Sequence, residues 1–154
     1  MQRITPFLWF DKEGGQAAKF YTSIFPDSRI KNATTFPNTP SGTVEVVTIE
    51  LQGQEFTLMS AGPLLKFNES ISFVVNCKTQ EEVDYYWDRL SADGEPGECG
   101  WLKDKYGVSW QIVPTVLGEM MQDKDPRKSE RVMKAVLQMK KLDIKGLRQA
   151  YEQP

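Results

Sequence analysis

The stretch "CGWLKDKYGVSWQIVPT", Cys99 to Thr115, decides how this chain is read. It reads as a strand, a tight turn at Tyr106-Gly107, and a second strand ending on proline. Its two tryptophans and Gln111 are expected to point off neighbouring strands toward an interior. Gln111 then has three open readings: ligand, substrate contact, or packed bystander.

Working outward, "SISFVVNC" (Ser70–Cys77) reads as a strand. Thr79 and Glu82 have the spacing of a capping box, so a helix should start there, with Val83, Tyr86, Trp87 and Leu90 as its apolar face. The first half follows the same order. "ITPFLWF" (Ile4–Phe10) is a compact apolar run of strand length, broken by Asp11 to Gly15. Ala17, Phe20, Tyr21, Ile24 and Phe25 then give one face of a helix that ends before Pro26. "FPNTPSG" reads as a loop and Val44–Leu51 as a strand. Val47, Ile49 and Leu51 share one face of that strand against Val46, Thr48 and Glu50. Gln52-Gly53 makes a hairpin turn into "QEFTLMS", another strand.

The halves register on one another. A constant shift of 66 carries Ala17, Phe20, Tyr21 and Ile24 onto Val83, Tyr86, Trp87 and Leu90, and Phe7 and Leu8 onto Phe73 and Val74. In the hairpins the shift drops to 54, matching Gly53 with Gly107 and Thr57 with Gln111. The shortfall is explained if the second half lacks the Pro-rich loop near 36–43. The expected fold is α+β: a single domain over 1–154 with tandem βαβββ modules at about 3–62 and 69–115. A helical tail at about 116–152 has no counterpart in the first half. There Val132, Met133, Val136, Leu137 and Met139 form a helix stripe behind Pro126, and Asp143 caps a last short helix carrying Ile144 and Leu147. The Met-rich stripe is read as core, with a ligand wall or partner surface as the alternatives.

Composition excludes several functions. A net charge of −2 provides no field for a polyanion, so no nucleic-acid partner is expected. The apolar runs are too short for a membrane span, and no basic start with an apolar stretch marks a secretory leader. Cys77 and Cys99 have neither disulfide-scaffold density nor zinc spacing, which fits reduced thiols in a cytoplasm. The 154 residues include no histidine, which removes Ser-His-Asp and Cys-His chemistry and the commonest metal ligand together.

The paired modules, "ITPFLWFD…AAKFYTSIFP" and "CGWLKDKYGVSWQIVPT" resemble the vicinal oxygen chelate (glyoxalase / bleomycin resistance / dioxygenase) superfamily. Within it the chain is similar to the PhnB-like group, whose domain is labelled 3-demethylubiquinone-9 3-methyltransferase, over about residues 3 to 152. The resemblance implies mixed sheets curling into an open cup, usually in a homodimer. It also implies that metal-using members draw ligands from the first and last strands of each module. By the repeat registration those positions are Ile4, Thr57, Ser70 and Gln111, a weak donor set, and the neighbours Arg3, Thr5, Phe56 and Leu58 are no better. No metal and no cofactor is therefore expected. Gly14-Gly15 is a poor match to an S-adenosylmethionine turn, and Gly94, Gly97 and Gly100 precede a strand pair rather than a cofactor helix.

The ligand-contact candidates are Gln111, Thr57, Ser70, Trp9, Met59, Trp101 and Glu50, with the tryptophans equally readable as core fillers. Asp104 is expected to shape the turn, and both cysteines to be small buried thiols. The expected function is binding of a small hydrophobic molecule in a metal-free cup. The alternative is an enzyme of the same superfamily: a metal-dependent lyase, isomerase or dioxygenase, or the methyltransferase of the label.

Overall fold

The computed structural model describes residues 2–153. It divides into two compact units, Met1–Phe67 and Asn68–Pro154. The class is α+β, as expected, with two open four-stranded mixed sheets.

Unit one runs β1 (Phe7–Phe10), α1 (Gly14–Ile24), β2 (Ser28–Thr39), β3 (Gly42–Leu51) and β4 (Gln54–Ser60), with sheet order β1-β4-β3-β2. β1 pairs parallel to β4, and the other pairings are antiparallel. α1 packs on β3 and β4, burying Ala17, Tyr21 and Ile24 against the face that carries Val47, Ile49, Phe56 and Leu58. Its first free amide is satisfied by the sheet, because Gly14 N donates to Ser60 Oγ at 2.9 Å. A Cβ on Gly14 would stand 2.7 Å from that oxygen, so glycine lets the helix start this close to the strand. The β3–β4 turn is the expected hairpin: Gln52 and Gly53 have φ of 49° and 87°, as a two-residue primed turn requires.

Two expectations for this unit are corrected. The first strand starts at Phe7, and Ile4 lies outside it, 81% exposed. The Pro-rich stretch is the tip of a long hairpin: β2 reaches Thr39 and β3 begins at Gly42. β2 tolerates Pro37 because it is an edge strand, where a missing N–H breaks no inner ladder.

Unit two runs β5 (Ser72–Cys77), α2 (Gln80–Ser91), β6 (Glu95–Pro96), β7 (Trp101–Lys103) and β8 (Ser109–Pro114), with sheet order β5-β8-β7-β6. Half of the capping box forms: Glu82 N donates to Thr79 Oγ1 at 3.2 Å, while the Glu82 carboxylate accepts from Lys78 N, one residue before the cap, at 2.8 Å. Val83, Tyr86, Trp87 and Leu90 are all buried, as their spacing requires. The loop between β7 and β8 closes on Asp104, which is 3% exposed. Its carboxylate accepts from Tyr106 N at 2.9 Å, Val108 N at 3.1 Å and Trp110 Nε1 at 2.9 Å. The second module thus shortens the whole first hairpin, to strands of two and three residues, rather than lacking a loop.

The tail folds as α3 (Thr115–Met121), α4 (Pro126–Val136) and α5 (Ile144–Glu152). Asp125 and Asp143 cap the last two through Arg127 N and Gly146 N. Met120, Val132, Val136, Leu142 and Leu147 form a small core. The expected stripe is split: Val132 and Val136 are buried, while Met133 and Leu137 face outward. The tail is stitched to the rest of unit two, since Cys99 N and Gly100 N donate to Met139 O and Lys140 O, each at 2.8 Å. The Gln80 side chain adds bonds to Leu142 O and Ile144 N.

Candidate functional site

A β-strand presents alternate residues to opposite faces, so a helix that covers one face leaves the other for ligands. In unit one the uncovered face is built in cross-strand rows. Phe7, Thr57, Thr48 and Asn32 make one row; Trp9, Met59, Val46 and Thr34 the next; Glu55, Glu50 and Arg29 a third. Four of the candidates, Trp9, Thr57, Met59 and Glu50, therefore share this face, each half-buried. Trp9 Nε1 donates to Gly62 O at 2.9 Å, which fixes the ring. Glu50 lies 3.7 Å from Arg29, and its neighbour Glu55 is 2.9 Å from Lys31, so the acidic row is charge-balanced at the sheet edge.

In unit two the uncovered face has rows Ser72–Ser109–Lys103 and Val74–Gln111–Trp101, followed by Asn76–Val113. Trp101 and Gln111 stand directly opposite one another on this face. Trp110 points the other way, into the core against Phe73 with ring centres 5.4 Å apart. Of these two tryptophans, only Trp101 shares the side of Gln111. Gln111 Nε2 donates to Ser72 Oγ at 2.9 Å. Lys103 Nζ sits 2.8 Å from Glu69. That contact holds the Glu69 carboxyl below its usual range and the Lys103 ammonium above its own.

Ser70 is displaced from the position expected of it. It lies before β5, and its hydroxyl bonds Asn68 Oδ1 at 2.6 Å. The residue that meets Gln111 is Ser72. Phe7 stands opposite Thr57 and Val74 opposite Gln111, so the strand is shifted by one residue more than the helix that follows. The cause is a shorter joint: Phe10 to Gly14 in unit one, Cys77 to Gln80 in unit two. Side chains alternate with a period of two, so a slip of one residue assigns the wrong face. With that shift Ile4 maps onto Ile71, and Ser72 is the counterpart of Thr5.

Metal ligation fails on donor chemistry. The β1–β4 pair offers Phe7 and Thr57; the β5–β8 pair offers Ser72, Val74 and Gln111. Neither set has an anionic or imidazole donor, and among the described residues no three acidic, Cys or His side chains converge. These residues do not fit a divalent metal. Cys77 is buried, and burial together with the nearby Glu82 charge pushes its thiol up to about 12, so it is a packing residue rather than a nucleophile. No helix among the described residues is long and apolar enough to cross a membrane.

A family model described as 3-demethylubiquinone-9 3-methyltransferase matches residues 2–113. The chain belongs to this PhnB-like family of the vicinal oxygen chelate superfamily. A structure described as a putative 3-demethylubiquinone-9 3-methyltransferase, PhnB protein, from Bacillus cereus is 34% identical. The match covers 73% of this chain and 99% of that one, with a TM-score of 0.65. A Pseudomonas aeruginosa protein shares the fold at 17% identity, over 74% of this chain and 98% of its own, with a TM-score of 0.60. The fosfomycin resistance protein FosX from Listeria monocytogenes does so at 17% identity, over 79% and 98%, with a TM-score of 0.58. No curated protein matches. The family model's match ends at Val113, and α3, α4 and α5 lie beyond it.

Proposed function

We propose that this family member binds a small, largely apolar molecule on the uncovered sheet faces of its modules, without a catalytic metal, as a homodimer in a reducing cytoplasm. The observation that carries this reading is the side-chain character of those faces. Trp9, Met59 and Val46 form one row and Trp101, Gln111 and Val74 another, each aromatic or apolar with a few polar handles. The two unpaired cysteines suit the reducing compartment. Native mass spectrometry of protein purified gently from its expression host is the test. A dimer carrying a retained organic mass is expected; a stoichiometric metal, or a monomer that takes up no small molecule, overturns the reading.

The family's printed description favours a second reading, methyl transfer. Against it stands the local role of Gly14. This residue admits Ser60, so close helix–sheet packing accounts for that glycine without a cofactor. Saturable S-adenosylmethionine binding in calorimetry would reinstate methyl transfer.

A further inference from the structure

The uncovered face of unit two holds more hydrogen-bonding capacity than its own residues use. Gln111 Nε2 gives one hydrogen to Ser72 Oγ; its second hydrogen, the Oε1 acceptor and the Ser72 hydroxyl hydrogen have no described partner. Ser109, directly across the ladder from Ser72, is 1% exposed, and its hydroxyl is unpaired among the described residues. A buried hydroxyl without a partner is destabilising, so an alanine there would be the more stable choice. The charges in these rows are already neutralised, because Lys103, opposite Ser109, is engaged by Glu69. A carboxylate ligand would find no free cation in the row, and an ammonium ligand no free anion.

We propose that Ser72, Ser109 and Gln111 form the polar end of the ligand site and select a neutral carboxamide-type head group: an amide, lactam or urea. The carbonyl accepts from the serine hydroxyls, the N–H donates to Gln111 Oε1, and the apolar part lies over Trp101 and Val74. A group seated between Gln111 and Ser72 lies beside Ser109 across the ladder; the Ser109 hydroxyl has no open surface of its own, so it gains this partner only as the group displaces the side chains that cover it. This deepens the preceding reading and rests on it.

The test is fluorine NMR binding to the full chain with para-fluorobenzamide, para-fluorobenzoate, para-fluorobenzylamine and para-fluorotoluene. The amide is expected to bind about tenfold tighter than the toluene, the worth of one or two neutral hydrogen bonds. Gln111→Leu and, independently, Ser72→Ala should erase that preference while fluorotoluene still binds, which also shows that the variants are folded. Ser109→Ala should weaken amide binding while holding or raising the unfolding midpoint, a combination that a purely structural serine would not produce. Equal affinities for amide and toluene, a preference for either charged probe, or an unaltered amide affinity in Ser109→Ala overturns the head-group assignment and leaves small-molecule binding standing. Binding of none of the four probes overturns both.

Discussion

The two modules repeat one order of elements but hold their joints in different ways. In unit one the backbone and a single sheet hydroxyl do the work. α1 has no side-chain cap, its first amide is taken by Ser60 on the adjoining strand, and the last hairpin turns on the left-handed pair Gln52-Gly53. In unit two side chains do it. Thr79 caps α2, and one buried carboxylate, Asp104, gathers three N–H groups to close the last hairpin. The difference follows strand length. β2 and β3 form a long ladder, whereas β6 and β7 have two and three residues, too few to fix a turn through backbone pairing alone.

The largest expected effect attacks that difference directly. Asp104→Ala leaves three donors without their acceptor and should cost about 3 kcal/mol or more. Gly53→Ala, at φ 87°, should cost only about 1–2 kcal/mol. Urea unfolding measures both, and equal losses would break the contrast. Next come the residues that begin each helix. Gly14→Ala would force its methyl against Ser60, and Gln80→Ala would cut the side-chain bonds to Leu142 and Ile144. Each should cost about 1–2 kcal/mol, but only Gln80→Ala should loosen the tail, as limited proteolysis after residue 115 would report.

The caps sharpen the comparison further. Thr79→Ala should cost about 1 kcal/mol, whereas Glu13→Ala, at an N-cap that makes no capping bond, should stay within about 0.5 kcal/mol. The smallest effect concerns the tail. The Tyr151 hydroxyl donates to Asp123, which lowers the Asp123 carboxyl and raises the Tyr151 phenol. For the lowered carboxyl, stability is present above its unfolded value of 3.8 and is lost as pH falls through the folded one. For the raised phenol, stability is present below its unfolded value of 10.0 and is lost as pH climbs through the folded one. The gap in urea midpoint between the native chain and Tyr151→Phe should therefore be widest near neutrality and close toward acid and toward alkali.

Much of this was legible in the residues, and the exceptions share a cause. The N-cap at Thr79, the helix faces and the Gln52-Gly53 turn all carry side-chain signatures, and all are where those signatures put them. β2 carries none: its residues are nearly all exposed, so no apolar alternation marks a strand held by backbone bonds to β3. α3 is equally silent, with no capping side chain, a central Gly118 and Met120 as its one buried residue. For the candidate site, Thr57 and Met59 share one face and Gln111 and Ser109 another, as strand alternation requires. The first-strand position was put at Ser70, two residues short of the Ser72 that bonds Gln111; aligning the helices across a joint that differs in length accounts for one of the two. Side-chain pattern reports faces well and register poorly, since every second register looks alike.

The bonds from Cys99 and Gly100 to the far end of the chain have a consequence for how unit two would respond to its own terminus. Gly100 receives Ile112 N on its carbonyl at 2.8 Å while its own amide is held by Lys140. The tail is thus one peptide unit removed from the strand that carries Gln111. Cleavage near residue 138 would loosen the acceptors of two amides beside β8, so a cut in the tail would be felt at the sheet face that carries Gln111. In hydrogen-exchange terms, the amides of Cys99 and Gly100 are gauges of whether the tail is seated, and Ile112 is the wire from those gauges to the site.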